Sequence, residues 1–95
     1  MTIELLVITP DQTMQGVTID DSQDELSVLQ DIVGGFIEVI PVNHQGRETL
    51  MVINEEGKLH GLPLNILATR YIQSKHDTSD YIVGNVAIIT KGELQ

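Results

Sequence analysis

The apolar residues of this chain come in short runs that stop on glycine, proline or asparagine. Residues 3–8 (IELLVI), 14–19 (MQGVTI), 36–42 (FIEVIPV), 48–53 (ETLMVI) and 81–90 (YIVGNVAIIT) have the length of strands. None approaches the ~20 residues that cross a bilayer. Phe36, Tyr71 and Tyr81 are the only aromatic side chains, so Ile, Val and Leu must build the core, which favours strands. Ninety-five residues leave room for one core, and residues 1–95 read as a single domain.

Two stretches carry a helical period instead. Leu26, Leu29, Ile32 and Val33 share one face. Ser22-Gln23-Asp24-Glu25 before them has the capping-box pattern, and Gly34-Gly35 after them supplies a left-handed stop. Leu64, Leu67, Ala68, Tyr71 and Ile72 mark a second helix, predicted to begin at Gly61-Leu62-Pro63 with the proline near its first position. Asn54-Glu55-Glu56-Gly57 predicts a tight turn with Gly57 left-handed, and Lys58-Leu59-His60 a short return strand. Gly16 marks a bulge or bend, Pro41 an edge or strand end, and 74–80 a polar loop. The order strand-strand-helix-strand-strand-strand-helix-strand predicts an α+β domain, with a mostly antiparallel sheet of five to six strands and two helices.

Charge is distributed unevenly. The net charge is −9, and residues 1–46 hold eight acids (Glu4, Asp11, Asp20, Asp21, Asp24, Glu25, Asp31, Glu38) without a single Lys or Arg. A phosphate-binding surface needs clustered bases, so neither direct nucleic-acid binding nor an anionic membrane is expected. A basic protein partner fits the charge. Without cysteine there is no disulfide or thiolate chemistry. Met1-Thr2-Ile3-Glu4 lacks the basic start of a signal peptide, so the expected compartment is cytoplasmic.

Several segments in order carry a resemblance: Gly34-Gly35-Phe36-Ile37-Glu38-Val39-Ile40-Pro41, then Val52-Ile53-Asn54-Glu55-Glu56-Gly57-Lys58-Leu59, Gly61-Leu62-Pro63-Leu64-Asn65, Ala68-Thr69 and Ile82-Val83-Gly84-Asn85-Val86. Over residues 28–90 the chain resembles the domain-of-unknown-function family numbered 3846, with residues 1–27 as a more variable extension. Asn85 stands where that family's pattern has an acidic residue, so no carboxylate role carries over to it. The resemblance implies an accessory protein of phages, prophages and mobile elements, working in the host cytoplasm. It supplies no activity.

No catalytic constellation emerges. The neighbouring acids Asp20/Asp21, Asp24/Glu25 and Glu55/Glu56 are explained by capping and turn chemistry. His44, His60 and His76 have no metal-ligand spacing, and the serines lack a nucleophile-elbow context. Gly34-Gly35 follows a helix, so it aims no N-terminal amides at a phosphate. The expectation is therefore a protein without enzymatic activity, metal or cofactor.

Two surfaces remain. Asp20, Asp21, Asp24, Glu25 and Asp31 span about 16 Å at the helical rise. They suit the basic surface of a host or defence protein, as an inhibitor of a restriction or CRISPR nuclease would. The alternative is a small-ligand or nucleotide binder with a polar pocket near residues 52–71, built from Glu38, Asn54, Glu55, Asn65, Thr69 and Arg70. Asn65 and Thr69 are four apart and share a helical face, where a buried asparagine bonded to a neighbouring loop is the structural reading. An open sheet edge gives a second copy a place to pair, so a homodimer is among the assemblies the sequence allows.

Overall fold

A computed structural model describes residues 2–76 and 80–94. The elements are β1 (Ile3–Ile8), β2 (Met14–Ile19), α1 (Glu25–Val33), β3 (Ile37–His44), β4 (Arg47–Asn54), α2 (Ile66–His76) and β5 (Val86–Lys91). The strands form one antiparallel sheet in the order β2-β1-β5-β4-β3. The class is the expected α+β one. Both hairpins bring sequence neighbours together, and β5, last along the chain, fills the gap between them.

The alternation of side chains across each strand builds two cores. On one face Leu29 and Val33 of α1 pack on Ile3, Leu5, Val52, Ala87 and Ile89. On the other, Ala68 and Ile72 of α2 pack with Ile8, Val42, Met51, Val86 and Ile88. The uninterrupted apolar run of β5 follows from its central place, since both of its faces are covered. Leu26, expected on the buried stripe of α1, is half-exposed.

The β3–β4 hairpin runs further than expected. Its strands continue to His44 and Arg47 around a two-residue turn in which Gln45 and Gly46 both have positive φ. Phe36 O accepts from Glu55 N. Peptide groups alternate along a strand, so those of Phe36, Glu38 and Ile40 face β4, while those of Ile37, Val39 and Pro41 face outward. Pro41 therefore removes an amide from the free edge without costing a ladder bond. Gly16 forms no bulge and sits in register with Leu6; the irregularity lies in the β1–β5 pairing, where Glu4 and Leu5 oppose Lys91 and Ile89 and Thr90 is the extra residue.

Three local expectations fail, each for a readable reason. The capping box does not form. Asp20 takes Ser22 for itself, accepting from its amide (2.9 Å) and its hydroxyl, and α1 starts after Asp24, whose side chain makes no cap bond. The helix stops as expected at Gly34, where φ is 81° and the amide donates to Gln30 O at 2.8 Å.

The return strand after Gly57 is replaced by a helical turn. His60 N donates to Glu56 O, Gly61 N to Lys58 O and Leu62 N to Gly57 O, which is a Schellman closure with Gly61 left-handed at φ 68°. Gly57 is not left-handed. It is needed because a Cβ there would stand 2.9 Å from Val83 Cγ2.

The second helix begins later than Pro63. Residues 62–64 run extended against 82–84, with Leu64 bridged to Val83 and Gly84 N donating to Pro63 O. Asn65 then caps α2 through Ala68 N (3.1 Å). Residues 74–76, expected in a loop, belong to α2, and 77–79 of that loop lie outside the described residues. No helix among the described residues is long and apolar enough to cross a membrane.

Candidate functional site

The polar residues singled out in the sequence separate into structural and exposed groups. Asn65 is fully buried and uses every polar atom of its side chain. Its amide nitrogen donates to Ile8 O (3.0 Å) and Gly84 O (2.8 Å), and its oxygen accepts from Ala68 N. The Thr69 hydroxyl donates to Asn65 O (2.8 Å) and accepts from Ile82 N (2.9 Å). Asn54 donates to Val33 O (3.1 Å) and accepts from Glu56 N (2.8 Å), which pins the end of α1 to the end of β4. These three side chains hold loops and helix ends in place, and each of their polar atoms is bonded within the fold. Among the described residues, every buried side-chain nitrogen and oxygen has a hydrogen-bond partner.

The carboxylates singled out in the sequence lie in two places. Asp20, Asp21, Asp24 and Asp31 are exposed and Glu25 half-buried, all on α1 or the turn before it. Hydrogen bonds from the Ser22 hydroxyl, then its amide, hold the Asp20 carboxyl below the usual carboxylate range. Ser27 Oγ donates to Asp24 Oδ2. Glu38 and Glu55 lie elsewhere, beside a groove of about 670 Å³ between the β3–β4 sheet face, the 55–59 turn and residues 80–83.

Ile40, Ile53, Ile72 and Ile82 line this groove, and Leu59 (78% exposed) and Tyr81 (46% exposed) stand at it. Lys58 Nζ sits 4.2 Å from the centre of the Tyr81 ring and is paired with Asp80. The Lys58 ammonium, ahead of the Tyr81 amide, holds the Asp80 carboxyl below its ordinary range. A second hollow lies on the far side of the turn, lined by Asp31, Phe36 and His60. Asn54 and Glu56 border both, so the turn stands between them.

Of the six residues expected around a ligand, the groove brings together Glu38, Asn54 and Glu55 and leaves out Asn65, Thr69 and Arg70. Leu59, Tyr81 and the Lys58–Asp80 pair escape a sequence reading, because 22 residues separate Lys58 from Asp80. Arg47 donates to Thr90 O and Gly92 O at the opposite end of the sheet.

His44 stacks on Tyr71, with ring centroids 5.9 Å apart and Nδ1 3.2 Å from the phenol oxygen. His60 is exposed, and the His76 side chain lies outside the described residues. Among the described residues no three His, Asp or Glu side chains converge as metal ligands would.

Comparisons with curated proteins and with solved structures gave no match. Residues 1–27, expected as an extension, supply β1 and β2, and β1 pairs with central β5, so the domain cannot be assembled without them. The family comparison agrees with that architecture: a family model described as Domain of unknown function (DUF3846) matches residues 1–94, and the chain belongs to this family.

Proposed function

We propose that this protein is a non-enzymatic binding protein that docks a basic surface of another protein through α1 and the turn before it. The carrying observation is that five of the eight acids of residues 1–46 sit together on α1 and the turn before it. Asp20, Asp21, Asp24, Glu25 and Asp31 ride on the sheet face opposite α2, which carries Arg70. Two other bases are engaged elsewhere, Arg47 with Thr90 O and Gly92 O and Lys58 with Asp80. Duplex DNA carries one charge per about 1.7 Å, so the acidic face is a sparser version of the polyanion that a nucleic-acid-handling protein binds. Together with the resemblance to accessory proteins of phages and mobile elements, this supports an inhibitor of a host or defence nuclease.

Affinity capture from host extract at low and high salt tests the reading, with wild type and a D24K/D31K variant of unchanged circular dichroism. A basic protein should be retained by the wild type, released by salt and lost by the variant. Equal retention by both at low salt would overturn it.

A further inference from the structure

We infer that the groove between β3, the 55–59 turn and residues 80–83 seats a short basic, apolar-containing peptide segment of the partner. This rests on the reading of a basic partner but uses a surface separate from α1. The groove is apolar at its base, where Ile40 and Ile53 are partly buried against the α2 core and Ile72 and Ile82 belong to it. Its volume of about 670 Å³ suits several side chains.

Charge complementarity selects the occupant. Glu38 is in register with Ile53, and Glu55 lies two residues beyond, so their backbones are about 7 Å apart along the strands. Neither carboxylate has a hydrogen-bond or ion-pair partner among the described residues. A guanidinium or ammonium between them could pair with both. The protein's own Lys58 already shows how a cation is held at this rim, over the Tyr81 ring and against Asp80.

The main chain adds direction. The outward peptide groups of Ile37 and Val39 are unpaired in the sheet and flank Glu38, which lines the groove, whereas Pro41 blunts the edge beyond. An extended segment pairing with residues 37–39 would send alternate side chains over the groove. A second copy of this chain is a poor occupant, because it brings a further charge of −9.

The test is a heteronuclear NMR titration of the ¹⁵N-labelled full chain with two acetylated, amidated peptides, Lys-Leu-Arg-Leu-Lys and Lys-Gly-Arg-Gly-Lys. The leucine peptide should shift the amides of Glu38, Ile40, 53–56 and 81–83. It should bind at least about tenfold more tightly than the glycine peptide, as expected for two leucines leaving water. An E38K/E55K variant should weaken it about tenfold, while the charge-matched E4K/E93K, at the other end of the sheet, leaves it within about twofold.

Equal affinity for the two peptides would overturn the groove assignment. So would shifts confined to residues 20–31, a result that leaves the α1 reading standing. Concentration-dependent shifts at the groove without peptide would assign it to self-association instead. No shift with either peptide would overturn the groove and count against the basic-partner reading as well.

Discussion

Asn65 does the work of three side chains. It caps α2, ties down the end of β1 through Ile8 O and fixes the 82–84 segment through Gly84 O. Asn65→Ala removes the cap and strands two buried carbonyls, so urea unfolding should report a loss of about 3 kcal/mol or more. Asn65→Asp should be worse at neutral pH, because its carboxylate would face two carbonyl oxygens. Burial there raises the carboxyl's folded pKa, so the extra loss should shrink as the solution is acidified.

Tyr71 gives a second prediction at this scale. Burial raises its phenol pKa, and the ring stacks on His44. A raised folded value means that its contribution is intact below the ordinary tyrosine range and is lost as pH rises through the folded value. Alkaline denaturation curves should show that loss in the wild type and less of it in Tyr71→Phe. The residue scale is also where the sequence was least informative about the site. It took Asn54 for a turn residue and Asn65 for a buried side chain bonded to a neighbouring loop, but which carbonyls and amides these side chains meet depends on segments far along the chain.

At the scale of elements, alternation and glycine punctuation were enough to place β1, β2 and the stop of α1 and to find β3 and β4 to within two residues, whereas the last strand, expected over 81–90 with an interruption at Gly84-Asn85, begins only at Val86. The 55–61 segment was not legible. Lys58-Leu59-His60 is too short for a period, and glycines at both ends fit a hairpin and a helical turn equally. The choice is made by Val83, which leaves no room for a Cβ at residue 57, and by the Schellman closure at Gly61. Gly57→Ala should therefore cost about 1–3 kcal/mol in thermal or urea unfolding. Gly16→Ala offers the contrast. Nothing lies within 4 Å of a Cβ there, so the change should be neutral or stabilising by up to about 1 kcal/mol.

For the whole molecule, strand order matters more than composition. Among the described residues, central β5 alone joins the two hairpins, pairing with β1 on one side and β4 on the other. Deleting residues 86–95 should leave two hairpins without a common core. Such a chain should lose its cooperative thermal transition and its dispersed amide spectrum outright. Nothing in the sequence announced this arrangement, because pairing between segments about 80 residues apart leaves no local pattern. The same separation hid the groove, whose walls come from β3, from the turn after β4 and from the approach to β5.

The register of β1 with β5 has a practical side. Glu4 lies opposite Lys91, so both ends of the described chain leave the sheet together, beside the Gln45-Gly46 turn. The 55–61 turn and the groove are at the other end. A fluorescent protein, a surface tether or a second binding module could be joined at either end, or a linker could close the two into a circular permutant, with the groove left open to the solvent.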